Sequence, residues 1–151
     1  MYTSAARETM EHRVTIARDV REGLAAHQFI PYYQPKVSLV TGRIVGFEAL
    51  ARWQHPTKGL LTPEYFGSMF AEQAISIALG EQMIRQVAAD VRSWLDEGLE
   101  CGRVAINLSS ADISDPRLAD RIIRILEDAR VSSAHFEVEV TETAFLGRRT
   151  A

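Results

Sequence analysis

Residues 28–52 read QFIPYYQPKVSLVTGRIVGFEALAR, and this stretch decides the fold. Residues 28–39 are aromatic and β-branched, the composition of a strand. Val40-Thr41-Gly42-Arg43 is a turn, and residues 44–52 form a second strand. The connection is too short for a helical crossover. The two strands therefore pair antiparallel, as a hairpin.

Upstream, residues 4–26 read as a helix. Ile16, Val20 and Leu24 repeat at four-residue spacing with Ala17 beside them, while the Arg and Glu residues face water. Downstream of Trp53 comes a loop with His55-Pro56 and Gly59. Thr62-Pro63-Glu64 then opens a helix, with Thr62 as N-cap and Pro63 at the first helical position. A longer helix over residues 77–97 carries Ile84, Val87, Val91, Trp94 and Leu95 on one face. Gly98 and Gly102 punctuate its end. Residues 103–108 are a short buried strand centred on Val104-Ala105-Ile106. Asp115-Pro116 opens another helix, whose inner stripe is Leu118, Ile122, Ile125 and Leu126. Residues 136–140 form a fourth strand. The last two strands each follow a helix, so they pair in parallel. The expected fold is α/β: four strands, the first antiparallel, with helices on one side, like half a barrel. A complete (β/α)8 barrel needs about 250 residues, and this chain has 151.

Composition narrows the function. Hydrophobic residues make up 46% and charged residues 25%, a globular profile, and the net charge of -3 offers no broad basic surface for DNA. Cys101 is the sole cysteine, so no internal disulfide forms, which fits a reducing cytoplasm. No apolar run spans a bilayer and the first ten residues lack a signal-peptide core. The four histidines have no metal-binding spacing. No P-loop, dinucleotide-binding glycine motif or nucleophile elbow is present.

Polar groups instead gather on three strands: Glu48 on the second, Asn107 closing the third, Glu139 on the fourth. Glu137 and Glu139 share one face of their strand, with Val138 and Val140 on the other. Two carboxylates and an amide carbonyl are hard oxygen ligands suited to Mg²⁺, Mn²⁺ or Ca²⁺. The alternative is structural: Glu137 and Glu139 face water on an exposed strand, and Glu48 pairs with Arg52.

The motifs themselves resemble a known family. Tyr33-Gln34-Pro35, then Thr41-Gly42-Arg43-Ile44-Val45-Gly46-Phe47-Glu48-Ala49-Leu50, is similar to the opening of the EAL-type cyclic di-GMP phosphodiesterases. Arg52-Trp53, His55-Pro56, Gly59, Pro63 and Phe66 continue the pattern. Asn107-Leu108-Ser109 and Glu139-Val140-Thr141-Glu142 match its third- and fourth-strand motifs. The resemblance implies a (β/α)8 TIM-type barrel whose first strand runs antiparallel. It also implies hydrolysis of cyclic di-GMP to linear pGpG with two Mg²⁺ or Mn²⁺ ions. By the same resemblance Glu48, Asn107 and Glu139 are metal ligands, and Arg52 contacts a substrate phosphate. Gln34 lines the site, and Glu142 steadies a neighbouring catalytic loop.

The family's remaining site residues come from later strands: an Asp-Asp pair of metal ligands on the fifth, then a lysine, a glutamate and a glutamine. None of these motifs occurs in the 151 residues. The expectation is therefore a truncated domain, residues 27–151, preceded by a connector helix, residues 1–26. That helix resembles those that join an upstream GGDEF-type domain. Two functions follow: a piece of a bacterial, cytoplasmic phosphodiesterase that is inactive alone, or a catalytically silent module that binds the nucleotide or a protein. An incomplete barrel leaves two strand edges unpaired, and its open inner face is expected to expose an apolar patch. Self-association or partner capture follows, unless the N-terminal helix folds over the open face.

Overall fold

The computed structural model describes residues 4–140. Helix α1 spans Ser4–Ala25; only its second half is buried, through Ile16, Ala17, Val20, Gly23 and Leu24. Strands β1 (Phe29–Val37) and β2 (Ile44–His55) form the expected antiparallel hairpin, with Gln34 opposite Glu48 and Phe29 opposite Trp53. The first strand ends two residues earlier than its composition suggests. A register shift follows Lys36, and the backbone of Ser38 already bonds Arg43 and Gly42 across the turn.

The segment after Trp53 departs from the expected loop. β2 runs on to His55, the chain turns at Gly59 (φ +75), and a three-residue strand β3 (Gly59–Leu61) pairs back on residues 53–55. The left-handed backbone at Gly59 admits this tight return because glycine has no Cβ. The described sheet thus has five strands rather than four. A short α2 (Pro63–Phe66) and a 3-10 turn (Gly67–Ala71) lead into α3 (Gln73–Asp96). That helix starts four residues before the expected position. Its first turn buries Ile75 and the polar Ser76, which interrupts the apolar stripe that marks the rest.

β4 (Arg103–Leu108) follows a reversal at Gly102 (φ +64), where an added Cβ would lie 2.1 Å from the Val45 carbonyl oxygen. Only glycine fits that close approach. An extra short helix α4 (Ser110–Ser114) precedes α5 (Leu118–Asp128) and β5 (Phe136–Val140). β2, β4 and β5 pair in parallel, giving the order β1-β2-β4-β5. This is the first part of a (β/α)8 barrel wall with an antiparallel first strand.

Strand alternation divides the sheet into two faces. The outer face carries Phe29, Ala49, Trp53, Val104, Ile106 and Leu108. Helices α3 and α5 cover β4 through Ile84, Val87, Val91, Ile125 and Leu126, and α1 with the first part of α3 covers Trp53 and Phe29. Each fully buried aliphatic or aromatic side chain here contributes about 1.5–3 kcal/mol. The inner face holds Gln34, Lys36, Glu48, Arg52, Arg103, Asn107, Glu137 and Glu139. The expected apolar patch on that face is present only in part: alternation sends Phe47, Trp53, Val104 and Ile106 to the helices, while Ile30, Tyr32 and Leu50 stay on the open side beside the polar row. Nor does α1 fold over the open side; it docks on the outer face against Trp53.

Candidate functional site

The candidate site is built from the inward side chains of four strands. Each strand contributes alternate residues, so a strictly apolar outer set forces the intervening residues into one row. Glu48 on β2 is level with Gln34 on β1 and Ala105 on β4; Asn107 on β4 is level with Glu139 on β5. The Asn107 Nδ2 donates to Glu48 Oε1 at 2.9 Å. Five of the six sequence-predicted site residues thus lie on one face. Glu142 lies outside the described residues.

Arg52 is on the same face but makes no ion pair with Glu48. Its Nη1 donates to the Ala51 carbonyl at 2.8 Å, and its guanidinium lies 5.9 Å from the centre of the Tyr32 ring. The structural alternative in which Arg52 neutralises Glu48 is corrected accordingly. Glu137 and Glu139 do not simply face water either. Lys36 Nζ donates to Glu139 Oε1 at 2.6 Å and to Glu137 Oε1 at 3.3 Å. The bond to Glu139, with that carboxylate's charge behind it, raises the Lys36 pKa above its ordinary value.

The row is held from behind. Ser109, directly after β4, caps α4 reciprocally with Asp112. The Ser109 hydroxyl accepts from the Asp112 backbone, and the Asp112 carboxylate accepts from the Ser109 backbone at 3.0 Å and its hydroxyl at 2.7 Å. Ser76 of α3 and Ser109 share a hydroxyl bond of 2.7 Å. These contacts fix the end of β4 two residues beyond Asn107. Asp112 is 2% exposed, and Arg121 reaches its free oxygen at 3.9 Å. Sequence reading overlooked this support, although Ser109 followed three residues later by an acid is a capping-box spacing. It also overlooked Lys36, which shares the face of Gln34 at two-residue spacing.

A cavity of about 570 Å³ opens at the C-terminal ends of β2 and β4. Leu50, Phe70 and Met83 give it apolar walls, and Asn107, Ser109 and Asp112 give it polar ones. Its position at the carboxyl ends of parallel strands is where barrel enzymes place their chemistry.

Among the described residues, no group of three or more His, Cys, Asp or Glu could by itself hold a metal ion. The donors on the inner face are two carboxylates bracketing an amide, Glu48, Asn107 and Glu139, with an ammonium already seated on one carboxylate. Hard oxygens and a cation-accepting carboxylate fit a share of a divalent-cation site, with the other ligands supplied from elsewhere. Among the described residues, no helix is long and apolar enough to cross a membrane.

Comparison with known proteins gives a consistent result. The family model of the EAL domain matches residues 17–151. An uncharacterized signaling protein of Caulobacter vibrioides is 36% identical over 137 residues, 91% of this chain and 16% of that protein. The bifunctional diguanylate cyclase/cyclic di-GMP phosphodiesterase MucR of Pseudomonas aeruginosa is 30% identical over 142 residues, 94% of this chain and 21% of that protein. The chain therefore spans about a sixth to a fifth of the length of these relatives. The solved MucR phosphodiesterase in complex with c-di-GMP superposes with a TM-score of 0.80 at 32% identity, covering 90% of this chain and 54% of that one.

Proposed function

Because this chain belongs to the EAL domain family, we propose that its inner face is part of a divalent-cation site for hydrolysis of cyclic di-GMP to linear pGpG. The observation that carries this reading is the bond from Asn107 to Glu48, with Glu139 level with Asn107 on the next strand. In this reading Glu48, Asn107 and Glu139 hold Mg²⁺ or Mn²⁺. When bound, such a cation supplies Lewis acidity, polarising the phosphodiester and making water a better nucleophile at neutral pH. Arg52 offers a planar donor fork to a phosphate oxygen. Gln34 lines the site beside Glu48, and the cavity next to Asn107 accommodates a base. Glu142 is assigned to the support of a neighbouring catalytic loop.

A two-cation mechanism needs the ions about 3.5–4 Å apart, and two carboxylates with one amide are too few donors for that. The 151-residue polypeptide, tested by itself, is therefore expected to hydrolyse negligibly. Incubation with cyclic di-GMP and Mn²⁺, followed by anion-exchange separation, should give no pGpG above a protein-free blank. Cyclic di-GMP should still bind in the presence of Mg²⁺, with weaker calorimetric heats for Arg52→Ala. Formation of pGpG that disappears in Glu48→Ala would contradict the inactivity. Unchanged binding in Arg52→Ala would remove that residue from the site.

We assign residues 1–26 to a connector and 27–151 to the barrel portion, with a GGDEF-type domain as the upstream partner. MucR, named a bifunctional cyclase and phosphodiesterase, supports that arrangement. Among the described residues β1 and β5 each end the sheet without a further strand, and Val138 and Val140 on β5 are 47% and 38% exposed. Unpaired edges recruit strands, so the isolated polypeptide is expected to self-associate. Light scattering after size exclusion should give a mass that rises with concentration; a constant monomer mass would defeat this expectation.

A further inference from the structure

Lys36 is used by nothing in the proposed chemistry, yet among the described residues it is the only cation that bonds a proposed metal ligand. Its ammonium lies 2.6 Å from Glu139 Oε1 and 3.3 Å from Glu137 Oε1. The contact is not local: Lys36 is on β1 and the two carboxylates are on β5, so the side chain reaches over β2 and β4 on the concave face. Arg52 and Arg103 share that face, but neither forms an ion pair with Glu48, Glu137 or Glu139 among the described residues. Two carboxylates at two-residue spacing on one strand face repel each other, and Lys36 is what offsets them. The Lys36 side chain is 34% exposed, and its four-carbon stem gives it freedom to leave.

We propose that Lys36 is a tethered counter-ion that occupies Glu139 in the metal-free chain and is displaced when a divalent cation binds. The inference rests on the assignment of Glu139 as a metal ligand. A cation binding at Glu139 competes with the ammonium for the same carboxylate oxygen and repels it at short range. Affinity for the cation is then set partly by Lys36, with Glu137 as the carboxylate to which the ammonium retreats. Without the ion one ammonium is shared by the two carboxylates; with it, the lysine keeps Glu137 and the ion takes Glu139. Tight seating of a cation is traded for a smaller repulsion between the two carboxylates without it.

Calorimetric titration of Mn²⁺ into the full 151-residue chain tests the idea, using wild type, Lys36→Met, Lys58→Met and Glu139→Gln. Lys58 is the other lysine and contacts Tyr65, away from the site. Displacement predicts that Lys36→Met binds Mn²⁺ about 3-fold more tightly, the scale of a partly exposed ion pair, while Lys58→Met leaves affinity unchanged. Equal tightening in both lysine variants would reduce the effect to net charge and overturn the proposal. If Glu139→Gln loses binding but Lys36→Met matches wild type, Lys36 does not compete, and the metal assignment stands. If Glu139→Gln binds as wild type does, both fall. A readout independent of the variants is the Lys36 ε-methylene resonance of wild type during Mg²⁺ titration. It should shift with the midpoint of binding, and a stationary signal would overturn the displacement.

Discussion

The two faces of one sheet obey opposite rules, and β2 displays both within a few residues. Toward the helices it presents Phe47, Ala49, Ala51 and Trp53, with Ala49 and Trp53 at 3% and 1% exposure. Toward the open side the same strand presents Glu48, Leu50 and Arg52; Glu48 accepts from Asn107 of the next strand, and Arg52 donates to the Ala51 carbonyl. The outer face gains stability by removing apolar surface from water. The inner face gains little, because its charges stay partly hydrated and pair across strands. Stability and chemistry are thus assigned to alternate residues of one strand, and substitutions should separate them cleanly.

The largest break in that contrast is expected at Trp53. Its ring stacks on Phe29 at 5.0 Å, meets Phe66 edge-on, and donates from Nε1 to Gln28 at 3.0 Å. Trp53→Ala should cost about 3–5 kcal/mol of unfolding free energy, the range for an emptied aromatic core position. Glu48→Gln, five residues away on the other face, should change stability by no more than about 0.5 kcal/mol. Urea unfolding of both variants measures this; similar losses would mean that the faces are not functionally separate.

A smaller effect sharpens the same comparison through pH. Tyr33 points to the outer side, where its hydroxyl donates to Asp90 Oδ2 at 2.6 Å and its ring meets Trp94 edge-on at 4.8 Å. Burial first, then the bond to Asp90 and that carboxylate's charge, pushes the phenol pKa well above its ordinary value. The unfolded chain releases this proton near pH 10 and the folded chain does so only at higher pH. Below about pH 10 both states are protonated and the group adds no slope. Above it the folded state holds the extra proton, so stability falls as pH rises. Tyr33→Phe should cost about 1 kcal/mol at neutral pH and flatten the alkaline decline relative to wild type. An unchanged alkaline slope would place the effect elsewhere. The contrast with Lys36 is instructive: its raised pKa comes first from a bond to a partly exposed carboxylate, not from burial.

Much of this was legible in the sequence because the relevant patterns are local. The turn at residues 40–43 is too short for anything but a hairpin, and the stripes at Ile16–Val20 and Ile84–Val91 have helical spacing. The features that escaped are those in which a polar residue does a structural task. Ser76 is buried at 3% exposure and bonds Ser109, so the first turn of α3 lacks the apolar repeat that would announce it. β3 is three residues long and takes its register from β2, which no periodicity can reveal in so short a run. At the site, Glu48, Asn107 and Glu139 were readable as polar ends of strands and by motif. The convergence of Lys36 on Glu139 was not, because it depends on strand order and curvature across 103 residues of sequence separation. The mixed character of the open face, with the polar row beside Ile30, Tyr32 and Leu50, follows from register, which composition alone does not show.

The central claim is that a divalent cation goes to the inner face and not to the carboxylates of the outer helices. Two side-chain N–H signals report on the two sides of the sheet: the Asn107 amide beside Glu48 and the Trp53 indole against Phe29. Addition of Mn²⁺ below stoichiometric amounts broadens resonances near the bound ion. In ¹H–¹⁵N spectra of the 151-residue chain, the Asn107 amide signal should vanish first while the Trp53 indole signal persists. Broadening centred on α3 around Asp90 and Asp96, with the Asn107 amide intact, would contradict the account.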